Sequence, residues 1–431
     1  MVKDPAGFDQ LLPPAVAASL AAALASEPGP PRLALVGGAV RDWLLHRVHR
    51  DPWRGLPDLD LVVAEREPQA PASGLPPAHR LAQALQTLEP SALGFCRLHA
   101  AYGTVELELH GVLLDLASAR REHYPLPAEN PVVRQGDLEA DLARRDFSIN
   151  AMALLLEGSG TAEPTLIDPH GGCQDLAQRQ LRFLHGASLR DDPTRLLRAA
   201  RYAARLGFDL APESRRQAEE TLKAWPWPWR PGDDPTQAPP ALGTRLRMEL
   251  ELLLEREPWP RALAVLQAWG GLVLLDPALQ ADQGWWRRLQ RARRLGLPAE
   301  AALLVLAADP LAVAERLQLP HRQHRLLAQV QELRARLVAT EAQALDPAGW
   351  CQILEAPGLS AEAVALALAA GIGPRRPLLR WWLRWRHIQA PCTARELMQA
   401  EGLRPGPAVG VRLRALRAER LQAERLQTER R

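Results

Sequence analysis

The chain has 431 residues and a mass of 47.5 kDa, more than one hydrophobic core can hold, so roughly two to four domains are expected. Hydrophobic residues make up 47% and charged residues 24%, which excludes wholesale disorder. Net charge is only +3, yet residues 371–431 hold 14 Arg against 5 Glu, a local +9 that leaves −6 for the first 370 residues, and a basic end of that kind fits a polyanionic partner.

Leu11–Ala25 reads as an amphipathic opening helix, because Pro13, Pro14 and the preceding Asp4 and Asp9 do not suit a secretion signal. Leu33–Val36 is a buried strand, followed by a Gly-Gly turn and a helix beginning at Val40–Leu45. Leu59–Val63, the alternating Thr104–Leu109 and Val112–Leu116 give three more strands, and the strand-rich region is expected to end near Asn150. The Pro/Ala-rich stretch Glu67–Pro77 reads as a surface loop. Past about residue 176 the β-runs give way to helical periodicity at Leu196–Leu206, Arg245–Leu254, Ala262–Trp269, Ala299–Ala307, Leu311–Leu317 and Arg325–Leu337. Proline-rich joints fall at Trp225–Pro240, Asp309–Pro310 and Pro374–Pro377, and the closing AERLQ-type repeat reads as a solvated helical tail. The four cysteines (Cys96, Cys173, Cys351, Cys392) form no CxxC, which points to a reducing compartment. No apolar run reaches the length of a membrane span, so the protein is expected to be soluble and cytoplasmic.

Two sequence features carry chemistry. Val36-Gly37-Gly38-Ala39-Val40-Arg41-Asp42 sits between a strand and a helix, where glycines admit close backbone approach, helix N–H groups are free and Arg41 adds a forked cation. This combination suits a triphosphate, although taken alone a plain tight turn is the better reading. Asp58-Leu59-Asp60 places two carboxylates at i and i+2 on one face of a strand, where mutual repulsion favours a cation between them. Oxygen ligands completed by phosphates describe a Mg²⁺ site, and a solvated strand end is the alternative. Asp115, on another predicted strand, is a candidate third carboxylate for two-metal phosphoryl transfer.

Further motifs follow in fixed order: Arg144-Arg145-Asp146-Phe147-Ser148-Ile149-Asn150-Ala151, then Asp168-Pro169-His170-Gly171-Gly172, then Arg190-Asp191-Asp192-Pro193-Thr194-Arg195-Leu196-Leu197-Arg198 running on to Gly207-Phe208. Together with GGAVRD and DLD, this order closely resembles the class II (bacterial-type) tRNA nucleotidyltransferases, the CCA-adding enzymes, whose superfamily includes bacterial poly(A) polymerases. The strong likeness spans about residues 32–208, and Gly402–Gly410 resembles the family's tail. Departures are Asp191 for the usual Glu, Ser148 for Thr and Tyr202 for Phe.

The resemblance implies a polymerase-beta-like α/β head with a mixed sheet (1–155), a helical neck that reads the base (156–260), a helical body (261–372) and a basic tRNA-binding tail (373–431). It further implies that Asp58 and Asp60 hold Mg²⁺ and Asp115 assists, while Gly37, Gly38 and Arg41 grip the triphosphate. Arg144, Arg145, Asp146 and Asn150 would contact sugar and phosphates, and Asp191, Asp192, Arg195 and Arg198 would surround the base. A carboxylate accepting from an exocyclic amine, beside a guanidinium donating to a bare ring nitrogen, accepts cytosine and adenine and rejects uracil and guanine. The local alternative is that Asp191 or Asp192 caps a helix opening at Pro193. The expected reaction is attack of a tRNA 3′-hydroxyl on CTP or ATP, as full CCA addition, as A addition alone, or as poly(A) tailing; a tRNA-binding protein without catalysis is the alternative of another class. The polar, proline-rich Arg120–Arg134 stretch is expected to be a mobile loop beside the site, corresponding to one that A-adding members keep.

Overall fold

The computed structural model describes residues 11–27, 29–53, 59–66, 74–156, 164–339 and 345–429, with side chains to residue 423. They form two compact units, Met1–Pro228 with Arg261–Trp269, and Trp229–Pro260 with Gly270–Arg431.

The first unit runs α1 (Pro14–Ala25), β1 (Arg32–Val36), α2 (Gly38–His49), β2 (Leu59–Ala64), α3 (Pro77–Leu88), β3 (Leu93–His99), β4 (Thr104–Leu109), β5 (Val112–Ser118), β6 (Arg120–His123), β7 (Val132–Gln135), α4 (Leu138–Ala143), β8 (Ala153–Leu156), β9 (Thr165–Ile167), α5 (Gly172–Gln178), β10 (Gln180–Leu181), α6 (Ser188–Asp191), α7 (Thr194–Leu206), β11 (Asp209–Leu210) and α8 (Pro212–Ala224). Seven strands make one mixed sheet in the order β3-β4-β5-β2-β1-β8-β9, with β2 and β5 parallel and β1 antiparallel to both its neighbours. Alternate residues of the inner strands, Ala34, Val36, Val62, Ala64, Ala153 and Leu155, pack against Leu138 and Leu142 of α4. That period-2 burial fixes the register, since a one-residue slip would turn the apolar set to the other face.

Four features differ from the sequence expectation. The sheet does not end near Asn150, because β8 pairs with β1 and β9 pairs with β8. A further strand, β3, forms the edge beside β4, and β10 and β11 pair beyond residue 176. The Arg120–Arg134 stretch is an antiparallel hairpin, β6 with β7, rather than an irregular loop. Of the Glu67–Pro77 stretch, residues 67–73 lie outside the described residues, and Pro77 opens α3.

The second unit is helical: α9 (Thr244–Arg256), α10 (Trp259–Ala268, whose last eight residues belong to the first unit), α11 (Pro277–Ala281), α12 (Trp285–Arg294), α13 (Ala299–Leu304), α14 (Pro310–Arg316), α15 (His321–Ala339), α16 (Pro347–Leu354), α17 (Ala361–Ala370), α18 (Arg375–Leu383), α19 (Ala394–Glu401) and α20 (Pro407–Glu429). The helix starts are written locally. Asp309 accepts from the amides of Leu311 and Ala312 with Pro310 in the first turn, and Thr393 and Glu396 form a reciprocal capping box. Arg316 is buried, donates to the carbonyls of Leu242, Leu274 and Leu275, and lies over the Trp229 ring. Burial pulls its pKa down to about 10. No described helix is long and apolar enough to cross a membrane.

Candidate active site

β1 ends at Val36 and is followed by Gly37, whose φ of 73° and ψ of −134° turn the chain into α2. This is a backbone conformation that essentially only glycine adopts. A Cβ placed on Gly37 would lie 3.2 Å from Arg145 Nη1 and 3.4 Å from Asp60 Oδ2. The turn, Arg145 and Asp60 therefore meet at one point, in front of the start of α2 at Gly38.

Asp60 stands opposite Asp115 in the parallel β2–β5 register, and Asp115 stands opposite Glu106 of β4. Directly paired strand residues share a face, so the two expected carboxylates are neighbours on the sheet, and both are exposed. Asp58 lies outside the described residues. Among the described residues no three carboxylate, histidine or cysteine side chains converge as a metal cage. An all-oxygen pair beside a glycine turn at a helix start fits Mg²⁺, which keeps several ligand positions for water and phosphate.

The Arg144–Asn150 segment follows α4, whose Asp137 caps it by accepting from Ala140 N at 2.7 Å. Asp141 is fully buried. Its Oδ1 accepts from Arg144 Nε (2.9 Å) and Nη2 (2.8 Å), and its Oδ2 from Arg145 Nη2 (3.0 Å). Arg144 Nη1 donates to Glu122 of the hairpin at 3.0 Å. The Arg144 guanidinium thus ties elements together, whereas Arg145 retains a buried Nε with no hydrogen-bond partner among the described residues.

Arg41, expected to reach a phosphate, is only 2% exposed. It donates to both carboxylate oxygens of Asp42 and to Asn150 Oδ1 at 2.8 Å, and lies 5.1 Å from the centre of the Tyr202 ring. Burial opposes its charge, but Asp42 and Tyr202 hold its pKa above the usual arginine value. Asn150 Nδ2 in turn donates to Asp146 Oδ1 at 2.9 Å, and Asp146 Oδ2 lies 3.2 Å from Arg198 Nε. Burial pushes the Asp146 carboxyl up, and the charge of Arg198, the Asn150 hydrogen bond and Arg195 more than offset it, so Asp146 stays ionised. Arg41, Asn150, Asp146 and Arg198 are one chain of contacts behind the turn.

Arg195, Arg198 and Tyr202 sit at i, i+3 and i+7 on α7, one helical face. Arg195 is 4% exposed, donates through Nη2 to the Arg144 carbonyl at 3.0 Å, and places Nη1 3.5 Å from His185 Nε2. Burial and Arg195 push the His185 pKa down, which favours the neutral ring. Asp192 accepts from Thr194 N at 3.1 Å and Thr194 Oγ1 at 2.6 Å, so the local capping role is present, with the helix starting at Thr194 one residue past Pro193. Asp191 is half-buried, which raises its pKa, and its carbonyl accepts from Ala128 N of the hairpin loop at 3.2 Å. Sequence reading missed Glu122, Asp141 and His185; for Asp141 the signal was present, an acid three and four residues ahead of two arginines at a helix end.

In the second unit a cleft of about 780 Å³ is lined by Trp381, Arg386, His387, Arg414 and Arg417 among others. Arg417 makes a double hydrogen bond to Glu355, and the Arg386 guanidinium lies 3.7 Å from the centre of the Trp382 ring.

Comparison with known proteins agrees with this geometry. Residues 33–182 match the family model described as the poly A polymerase head domain. The chain is 40% identical over 310 residues to the CC-adding tRNA nucleotidyltransferase of Deinococcus radiodurans, covering 69% of each. It is 39% identical over 201 residues to the A-adding tRNA nucleotidyltransferase of Aquifex aeolicus, covering 44% of this chain and 20% of that one. A solved CCA-adding enzyme in its apo form shares the fold, with a TM-score of 0.68 at 23% identity over 95% of this chain and 91% of that one. With the glycine turn, the Asp60–Asp115 pair and the α7 arginine face all present within the matched head and just beyond it, the chain belongs to the tRNA nucleotidyltransferase family.

Proposed function

We propose that this protein extends tRNA 3′ ends in the cytoplasm with nucleotides drawn from CTP or ATP, releasing pyrophosphate. The observation that carries the reading is the convergence of Gly37, Arg145 and Asp60 beside Asp115. Asp58, Asp60 and Asp115 would hold Mg²⁺, which supplies charge neutralisation at the phosphates and an activated 3′-hydroxyl. Arg145 and the N–H groups at Gly37 and Gly38 orient the triphosphate, while Arg41 and Asn150 brace the turn from behind. Arg195 and Asp192 face the base, with Arg198 and Asp146 beside the sugar. The head, neck, body and tail limits at 155, 260 and 372 remain part of this proposal, and the basic tail with its cleft of Trp381, Arg386 and Arg414 offers stacking and cationic groups to the tRNA backbone.

The intact β6–β7 hairpin supports addition of the terminal A. A second reading, C addition, is favoured by the length of the match to the CC-adding relative. Incubating the protein with tRNA ending before CCA, or ending in CC, with CTP and ATP supplied separately, tests both. Incorporation of neither nucleotide would overturn the proposal in favour of binding without catalysis.

A further inference from the structure

We infer that Asp141 is the positioning residue that sets Arg145 onto the triphosphate turn. This inference rests on the reading of the Gly37 turn as a triphosphate site. Asp141 is a buried acid on α4, outside the strands that carry Asp60 and Asp115, and metal-bridged transfer gives it no direct task. Its two oxygens are nonetheless divided between the two guanidiniums that open the RRDF segment, Oδ1 on Arg144 and Oδ2 on Arg145 at 3.0 Å. Arg145 has one further anchor. Its Nη1 reaches the Asn150 carbonyl at 3.4 Å and closes on the space in front of Gly37 at 3.2 Å. Its Nε is buried without a partner among the described residues.

Charge makes the same point. Arg120, Glu122, Arg144, Asp141 and Arg145 alternate in sign along one connected row. Three guanidiniums meet two carboxylates, so the row carries one net positive charge, and its Arg145 end lies at the turn. A long, flexible arginine held by one carboxylate oxygen has little rotamer entropy left to lose when a phosphate arrives. Asparagine at 141 keeps the shape but exchanges one acceptor oxygen for an N–H donor, which repels whichever guanidinium faces it. Arg145 then swings free of its seat.

The test measures binding of inorganic tripolyphosphate with Mg²⁺ to the full chain by calorimetry, in a double-mutant cycle of Asp141→Asn and Arg145→Gln. Losing a hydrogen bond to a charged group corresponds to about a tenfold weaker affinity for Asp141→Asn. In the Arg145→Gln background the same change is expected to cost nothing further, since its effect passes through Arg145. A merely structural acid would give losses that multiply. If Asp141→Asn melts below the assay temperature, Asp141→Glu keeps the charge while displacing both forks, and is expected to weaken binding several-fold. Wild-type affinity in either folded variant, or multiplying losses in the cycle, overturns the inference. Nucleotide incorporation by the unaltered protein is scored separately, so failure of the proposed function and failure of this inference are told apart.

Discussion

Gly37 offers the sharpest test of the site, because a single methyl group acts there in two ways. Its φ of 73° with ψ of −134° lies where a side chain costs about 1–3 kcal/mol. The added Cβ would also sit 3.2 Å from Arg145 Nη1 and 3.4 Å from Asp60 Oδ2, tighter than ordinary contact at the first and at its limit at the second. The guanidinium is the softer neighbour, so it moves, and the phosphate loses a charge-assisted hydrogen bond of about 1.5–3 kcal/mol. Gly37→Ala should therefore raise the nucleotide KM by about 10- to 100-fold. Gly171 is the control. It too has a positive φ, of 71°, but an added Cβ there meets nothing within 4 Å. Gly171→Ala should cost only the left-handed strain of roughly 1–2 kcal/mol in stability, with a normal nucleotide KM.

The assay is single-nucleotide incorporation on tRNA with CTP or ATP varied, alongside thermal melting of both variants. If Gly37→Ala destabilises the protein as Gly171→Ala does but keeps the unaltered nucleotide KM, then the turn is a plain tight turn and the triphosphate assignment fails.

Asp60→Ala and Asp115→Ala should each abolish incorporation while leaving the melting temperature near that of the unaltered protein, since both side chains are exposed; incorporation by a folded double variant would refute the metal pair. Replacing Arg195 by Gln should relax discrimination between CTP and UTP more than it weakens triphosphate binding, and an equal loss for all nucleotides would mean that Arg195 only secures the Arg144 carbonyl. Truncation after Ile372 should raise the KM for tRNA and flatten its dependence on salt, as expected when phosphate contacts are removed; an unchanged salt slope would refute a tRNA-gripping tail.

How much of this was legible in the sequence depended on pattern strength. β1, β2, β4 and β5 stand out because they are apolar runs or clean alternations, and each appears within two residues of its expected limits. β3 was invisible because LGFCRLH is partly exposed on both faces of an edge, with no alternation to detect. β6 and β7, RREH and VVRQ, have little burial and owe their pairing to each other. β8 is the four-residue run ALLL, too short for periodicity to distinguish strand from helix. Glycine and acid motifs pointed to Gly37, Asp60 and Asp115, which the structure brings close together. What spacing could not convey was that Arg41, beside Gly38, also bonds inward to Asp42 and Asn150, while Arg145 closes on the turn at Gly37.

The contacts around Arg144 bear on how the proposed site would select a nucleotide. Arg144 is held by Asp141 and by Glu122 of the hairpin stem, and its carbonyl holds Arg195. The hairpin loop bonds through Ala128 to the carbonyl of Asp191. A two-stranded ribbon is only marginally stable by itself in water, so these two attachments do much to fix where the hairpin lies. They are also the places where Arg195 and Asp191, the residues proposed to face the base, are secured. A change of base in the pocket that shifts Arg195 or Asp191 must strain one attachment or move the ribbon. Since the ribbon carries little burial of its own, moving it is the cheaper response. On the proposed function, accommodating a purine after a pyrimidine would then be met by displacing the hairpin, leaving the sheet that carries Asp60 and Asp115 where it is.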